Sequence, residues 1–152
     1  MSVEDAIRRK LLTLSAVTAI TGTGDAALIR PDRLHATDRP GATSAAVIIE
    51  IDGEEHLNDL EGKSRRRMST VTLRCRSRQR TLARALAEAI RVNGTTPGTG
   101  LAGARWTDST DGLAYDAWLD DTNSSFTPDD DGSDEGWYDV YCSYGVTHGE
   151  AP

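Results

Sequence analysis

Residues 69–91 have the sequence STVTLRCRSRQRTLARALAEAIR, in which the spacing of the apolar side chains changes at Ser77. Before Ser77 every second residue is apolar, which predicts a half-buried strand over Arg67–Arg76 in an antiparallel sheet. After Ser77 the apolar residues recur at helical spacing. We therefore predict a helix over Ser77–Val92, capped by Ser77 and ending before Asn93. A strand that leads directly into an amphipathic helix indicates a helix packed on a sheet.

The sequence before this stretch begins with another helical pattern. Ser2 is a suitable N-cap, and Val3–Leu14 has the periodicity of an amphipathic helix. The helical signal fades through Val17–Ile20. A short edge strand is expected at Ala27–Arg30, because a proline follows it. The polar stretch Asp32–Thr43 is expected to be a loop.

The next apolar run is the clearest strand signal in the chain. Ser44–Asp52 is rich in β-branched residues and bounded by turn residues, so we predict a central strand. Asp52-Gly53 is expected to reverse the chain. Glu54–Leu60 is only weakly strand-like, and Glu61-Gly62-Lys63 offers a second turn.

The C-terminal third has weaker patterns until its end. Leu101–Trp118 predicts strand structure that an Asp111-Gly112 turn divides into a hairpin. Leu119–Gly136 is acidic and polar with little to bury, so we expect a long loop that is mobile in an isolated subunit. Trp137–Thr147 alternates again and predicts a closing strand. Its two expected faces are Tyr138, Val140, Cys142, Tyr144 and Val146 on one side, and Trp137, Asp139, Tyr141 and Ser143 on the other.

Together these patterns predict one α+β domain over residues 1–152, a mainly antiparallel sheet of about five strands covered by two helices, with long loops. A hydrophobic content of 38% with a single Phe implies a thin core, which favours support from oligomerisation. No stretch approaches the roughly 18 apolar residues of a membrane span, and the N-terminus lacks a signal-peptide pattern. We expect no membrane association, and we expect Cys75 and Cys142 to be buried free thiols in a reducing compartment.

Charge is divided unevenly along the chain. Residues 1–105 hold all 17 Lys and Arg and half of the 24 acidic residues, and residues 106–152 hold the other half. Residues 63–84 are basic and contain no acid. Three interpretations are open: this segment pairs with acidic residues 119–135 of another copy, it binds nucleic-acid phosphates, or it is a solvated surface. A net charge of −7 argues against the nucleic-acid interpretation.

The residue patterns of common catalytic and metal sites are missing or wrongly placed. His35, His56 and His148 lack a ligand partner at metal-site spacing. The glycines of residues 98–103 match a dinucleotide fingerprint, but they follow a helix and a linker instead of opening a helix after a strand. The acidic run at residues 129–132 does not fit the spacing of a calcium loop. We therefore predict no catalytic residue, metal site or cofactor, and a protein that is not an enzyme. The alternative is a small hydrolase that uses a pair of Asp or Glu side chains. No such pair in the sequence is accompanied by the other residues that a hydrolase site needs.

Four segments carry a resemblance to a known family. They are MSVEDAIRRKLL (1–12), AAVIIEID (45–52), STVTLRCRSRQRTLARALAEAIR (69–91) and GWYDVYCSYGVT (136–147). In the order and type of their elements they resemble the tail-completion proteins of long-tailed bacteriophages, also called tail terminators or tail-to-head joining proteins. The similarity spans nearly the whole chain.

The resemblance implies a structural virion protein without catalytic residues, made in the host bacterial cytoplasm and located at the tail-neck junction. It implies a protomer of a hexameric ring that caps the tail tube and joins it to the head-neck connector. The implied partners are further copies of the chain, the tube protein, the connector and DNA that passes through the lumen without sequence-specific binding. The alternative is a nucleic-acid-binding module that uses residues 63–84.

A ring requires that one surface of each copy meets a different surface of its neighbour. The basic residues 63–84 and the acidic residues 119–135 are candidates for such a pair. The residues expected at this contact are Arg65, Arg66, Arg67, Arg74, Arg76, Asp129, Asp130, Asp131 and Asp134.

Overall fold

The computed structural model describes residues 2–31, 40, 44–59, 62–95, 98–130 and 135–149, and these form three α-helices and one six-stranded sheet. The helices are α1 (Val3–Leu12), α2 (Ser15–Thr21) and α3 (Arg80–Val92). The strands are β1 (Ile29–Pro31), β2 (Ala45–Asp59), β3 (Gly62–Ser77), β4 (Arg105–Thr107), β5 (Ala114–Pro128) and β6 (Gly136–Gly149). Their order across the sheet is β1-β2-β3-β6-β5-β4. β1 pairs in parallel with β2, and every other pair is antiparallel. The predicted α+β class is confirmed, with one helix and one strand more than expected.

The centre of the sheet follows the predicted alternation. Ile49 of β2 lies opposite Leu73 of β3, which lies opposite Cys142 of β6, and all three are buried. The helices pack on this face, where Ile7 of α1 and Leu86 of α3 join the same core cluster. Full burial of a Leu or Ile side chain stabilises the folded state by about 1.5–3 kcal/mol. The core therefore lies between the helices and one face of the sheet.

The N-terminal helix begins as predicted, but a second helix follows it. The Ser2 side chain accepts a hydrogen bond from the backbone N–H of Asp5 at 3.2 Å, and α1 ends at Leu12. Val17–Ile20 lies inside α2, where the sequence signal had faded. Tertiary contacts override the weak local propensity here. Val17 is fully buried in the core, and Asn93 Oδ1 accepts a hydrogen bond from the Ala16 N–H at 3.0 Å.

The helix predicted after β3 is present, but Ser77 does not cap it. Ser77 is the last residue of β3, and Gln79 occupies the N-cap position of α3. The Ser77 hydroxyl donates to the Ser44 carbonyl at 3.1 Å and accepts from the Gln79 N–H at 3.1 Å. It therefore fixes the strand end to β2. At the other end Asn93 adopts a left-handed conformation, φ 47°, and stops the helix where predicted.

The expected reversal at Asp52-Gly53 is wrong. β2 continues to Asp59 and has a register shift between Ile51 and Gly53. The glycine therefore marks a bulge instead of a turn, because the pairing with β3 continues beyond it. Of the expected loop Asp32–Thr43, every residue except Pro40 lies outside the described residues.

The expected mobile loop at Leu119–Gly136 is also wrong for most of its length. Residues 119–128 belong to β5, which pairs with β6 from Leu119 opposite Tyr144 to Pro128 opposite Gly136. Backbone hydrogen bonds to β6 form this strand even though residues 121–128 are exposed. A polar composition does not prevent pairing where water covers both faces. Asp131 and Asp134 lie outside the described residues.

The remaining strand predictions are confirmed in outline. β1 is the short edge strand, β4 and the start of β5 form the hairpin around Asp111-Gly112, and β6 is the closing strand. In the described part of the chain, none of the helices has the length and apolar character needed to cross a membrane.

Candidate assembly surfaces

The face of the sheet opposite the helices carries a cluster of arginines around one carboxylate. Arg76 of β3 lies opposite Asp139 of β6, and Arg74 lies opposite Tyr141. Asp139 is only 1% exposed. It accepts hydrogen bonds from Arg76 Nε at 2.9 Å and Nη2 at 3.1 Å, and from Arg74 Nη2 at 3.3 Å. Burial alone raises the pKa of Asp139, but these hydrogen bonds outweigh it and hold the pKa below its usual value.

Two aromatic rings lie under the same arginines. The guanidinium of Arg74 is 5.6 Å from the ring centroid of Tyr141, and that of Arg76 is 5.3 Å from Trp137. Arg78 lies 3.9 Å from the same Trp137 ring and forms an ion pair with Asp129 at 2.7 Å. We call this set, Arg74, Arg76, Arg78, Trp137, Asp139 and Tyr141, the arginine face. Tyr, Trp and Arg are the residue types enriched where binding energy concentrates in protein interfaces.

The arginines predicted for a contact between copies have acidic partners in the same chain wherever their side chains are described. Besides the pairs of the arginine face, Arg66 lies 3.4 Å from Asp116, and Arg67 lies 3.7 Å from Glu54. Asp130 is exposed at the end of the β5–β6 hairpin. Arg65 is in β3, but its side chain, like Asp131 and Asp134, lies outside the described part. Within one subunit, carboxylates therefore pair with five arginines of the basic segment, Arg66, Arg67, Arg74, Arg76 and Arg78.

The sequence prediction missed Asp139, Trp137 and Tyr141 as members of this surface. A signal for them was present, because alternation placed all three on the polar face of the closing strand. The sequence did not show the register between β3 and β6, and that register places Asp139 beside Arg76. Arg80 and Arg84, on the solvent side of α3, have no hydrogen-bond or ion-pair partner among the described residues.

A groove runs along the helix face between α3 and the β5–β6 hairpin. Its main cavity has a volume of about 440 Å³, and its lining includes Arg84, Ala87, Leu119, Val140, Cys142 and Tyr144. A neighbouring cavity of about 280 Å³ shares Arg84 and Val140 and adds Phe126. The hydroxyl of Tyr144 is buried and has no hydrogen-bond partner among the described residues. We call these two cavities together the α3 groove.

The two cysteines lie at the floor of this groove or directly beneath it. Both are buried and free, as predicted. A hydrogen bond with Cys142, together with complete burial, raises the pKa of Cys75 well above its usual value. Hydrogen bonds with Cys75 and then Thr122 outweigh burial and lower the pKa of Cys142. Across the described residues no three His, Cys, Asp or Glu side chains group as a metal site.

A second buried ion pair joins α1 to the β4–β5 loop. Asp108 is 4% exposed and accepts hydrogen bonds from Arg9 Nε at 2.9 Å and Nη2 at 2.8 Å. It also accepts from the backbone N–H groups of Thr110 and Asp111 at 3.1 and 3.0 Å. The bond to Arg9 is the main cause that lowers the pKa of Asp108 to about 2. Asp111 in turn accepts from the Tyr115 hydroxyl at 2.5 Å. Asp108 therefore connects α1 to the β4–β5 loop, and Asp111 connects that loop to β5.

Comparison with known proteins gives a likeness of fold. The chain matches no protein-family model, and no curated protein matches it. Among solved structures it is similar to a chain of the virion of a native gene transfer agent particle. The two are 15% identical with a TM-score of 0.55, and the match covers 96% of this chain and 95% of the other. The similarity extends over the whole domain, so the two chains share their fold from end to end.

Proposed function

We propose that this chain is a structural virion protein, and that within the virion it is the tail terminator. The observation that carries the proposal is the match over nearly the full length of both chains to a component of a gene transfer agent virion. In this role the protein acts stoichiometrically. A hexameric ring binds the last layer of the tail tube, stops its growth and presents a docking surface to the head-neck connector at the tail-neck junction.

The surfaces of the subunit support an assembly role. The arginine face combines Arg, Trp and Tyr side chains whose positions are fixed by Asp139 and Asp129. Pre-ordered side chains of this kind lose little conformational freedom on binding. β5 and β6 also pair from Tyr115 opposite His148 to Pro128 opposite Gly136, so the subunit has a long two-stranded hairpin that a neighbour could contact.

The contact between copies remains part of the proposal. Residues 63–84 of one copy would meet residues 119–135 of the next in a contact between two different surfaces, as ring closure requires. The residues proposed for it are Arg65, Arg66, Arg67, Arg74, Arg76, Asp129, Asp130, Asp131 and Asp134. Since several of these arginines already bind carboxylates of their own chain, their role is to orient the contact more than to supply net charge. DNA crosses the lumen without sequence-specific binding.

Mass measurement of the purified protein, with and without tube protein, tests this function. We expect a closed ring that adds to tube ends and stops their growth, visible by electron microscopy as capped tubes of limited length. A subunit that stays monomeric and ignores tube ends would contradict the terminator role. Tight duplex binding at low salt that falls steeply as salt increases would instead favour the nucleic-acid-binding alternative.

A further inference from the structure

The outer side of β5 becomes an open strand edge after Ala117. β4 pairs only with residues 114–116, and the last backbone hydrogen bonds on that side join Ala117 to Gly103 and Ala104, at 2.9 and 3.0 Å. Beyond this point, from residue 118 to residue 128, the described structure places no strand on the outer side of β5. Proteins usually shorten, cover or charge such an edge, because it can pair with another chain. This part of β5 is therefore a candidate site for the addition of a strand.

The backbone groups available at this edge follow from the pairing of β5 with β6. The Asp129 N–H donates to Glu135 O at 2.9 Å, on the β6 side. Successive residues of a strand direct their backbone groups to opposite sides, so the odd-numbered residues 121–129 face β6. The residues whose N–H and C=O groups point outward are Thr122, Ser124 and Phe126. A neighbouring strand can bind these groups in place of water.

Two exposed aromatic rings stand beside this edge, one on each face of the sheet. Among the described residues, Trp118 and Phe126 are the large apolar side chains that remain exposed, at 37% and 43%. Trp118 lies over Gly145, on the face away from the helices. The Phe126 ring is 4.7 Å from the ring of Tyr138, which packs against the core on the helix face. A strand added here would bring its side chains against these rings, which favours an occupant with apolar residues.

The charge beside the edge is negative. Asp120 and Asp121 are exposed, and residues 106–152 contain no Lys or Arg. Asp121 accepts hydrogen bonds only from Thr122 and Asn123, and neither aspartate binds a cation within the described part of the chain. An occupant that complements this edge therefore carries Lys or Arg side chains.

The strands described for this chain do not provide such an occupant from a second copy. A second β5 brings the same two aspartates, and the exposed residues of β2 include Asp52, Glu54 and Glu55. β3 is basic, but from Arg66 to Ser77 it pairs with β2 on one side and β6 on the other, so it has no free edge there. β1 and β4 have only three residues each. The complementary segment belongs to a different protein, and this contact is separate from the contact between copies described above.

We propose that an extended basic segment of another virion protein adds to the outer edge of β5 along residues 122–126. Backbone hydrogen bonds give this contact its affinity. Asp120 and Asp121 select Lys or Arg side chains in the segment, and Trp118 and Phe126 contact its apolar side chains. The proposal rests on the virion role proposed above, because that role places other proteins next to this one.

A synthetic peptide tests the edge. The probe is TVKVTVKVT, which combines strand-forming residues with two lysines, and the control peptide is TVEVTVEVT. At about 1 mM, we expect the lysine peptide to slow amide hydrogen exchange of Thr122, Ser124 and Phe126 by at least about threefold, measured by NMR. The N–H groups of Asn123 and Ser125 face β6 and should be unaffected. Absence of protection, or equal protection by the glutamate peptide, overturns the proposal.

Ser124→Pro removes one outward N–H and leaves the pairing with β6 intact, because proline is tolerated where a strand N–H faces water. Its melting temperature should stay near that of the parent, while its affinity for the lysine peptide falls at least about tenfold in an NMR titration. Ser124→Val keeps the N–H and is the matched control. Equal affinity of a folded Ser124→Pro variant and the parent would count decisively against strand addition.

The double variant D120K/D121K provides a second readout that does not depend on proline. It should bind the glutamate peptide in preference to the lysine peptide, and an unchanged preference overturns the charge argument. Protection of the same amides without peptide at high protein concentration assigns the edge to a second copy and also overturns the proposal. A parent that caps tail tubes but ignores the peptide overturns the edge proposal alone. A parent that binds the peptide but does not cap tubes overturns the terminator role alone.

Discussion

Asp139 is 1% exposed and holds Arg76 through a two-point contact, from Nε at 2.9 Å and Nη2 at 3.1 Å. Because Arg74 binds the same carboxylate, one buried negative charge organises two cations on the arginine face. The arginines also lie over Tyr141 and Trp137, so the carboxylate, the two arginines and the two rings form one cluster. The pairing of arginines on the arginine face thus depends on one residue of β6.

Asp139→Asn removes this charge and should destabilise the subunit by about 2 kcal/mol, the usual range for a hydrogen-bonded charged group. Two arginines, each about a fifth to a quarter exposed, then lose their counter-charge. Urea unfolding followed by fluorescence measures the loss. Asp120→Asn is the control, because Asp120 is exposed and unpaired within the described structure, and its stability should stay near that of the parent. Equal stability of the two variants would mean that the Asp139 cluster contributes nothing to folding.

The strands and helices with strong periodicity were predictable from sequence, and β3 with α3 is the clearest case. The alternation through Leu73 and Cys75 and the helical periodicity through Leu86 each indicate an element with one buried face. All three side chains are buried in the structure. α2 was not predictable in this way, because its helix depends on burial of Val17 and on the side chain of Asn93, which is distant in sequence.

The outer half of β5 was not predictable for a different reason. It has no apolar period, so the sequence pattern indicates a loop, yet Asn123 pairs opposite Tyr141 and Ser125 opposite Asp139. The outer half of β5 is a strand because its backbone pairs with that of β6. The amino-acid composition of the segment gives no signal of this pairing. The assembly residues stay a prediction, and the sequence did not show that Asp139 pairs with both Arg74 and Arg76 inside the subunit.

The ion pair between Arg9 and Asp108 should make stability depend on pH in the acid range. The folded-state pKa of Asp108 is lowered from 3.8 to about 2, so its contribution is complete above the unfolded-state pKa and is lost as the pH falls through the folded-state pKa. The difference in unfolding free energy between the parent and Asp108→Asn should therefore shrink by on the order of 1–2 kcal/mol between pH 5 and pH 2. Urea titrations at several pH values measure it. A difference that stays constant over this range would contradict the assignment.

Gly100 allows the chain after α3 to run close against the end of that helix. A Cβ at this position would collide with the backbone of Arg91 and Val92, and the next residue, Leu101, donates a hydrogen bond to Ile90 O at 2.7 Å. Gly100→Ala should cost about 1–3 kcal/mol, because backbone atoms move less readily than side chains. Gly53→Ala is the matched control, since nothing lies within 4 Å of its Cβ position. Its stability should change by less than about 0.5 kcal/mol, and thermal melts that rank the two variants in the reverse order would refute the packing argument.

The two thiols should differ in reactivity although both are buried. Cys142 lines the α3 groove and has a lowered pKa, while Cys75 is fully buried with a raised one. Since the thiolate is the reacting form, iodoacetamide should modify Cys142 first, at a rate that rises with pH toward 9, and leave Cys75 unmodified in the folded protein. Peptide mass spectrometry of the native protein distinguishes the two sites. Denatured protein, in which both thiols are exposed, serves as the control and should be labelled at both. Faster native labelling of Cys75 would show that the groove does not give access to Cys142.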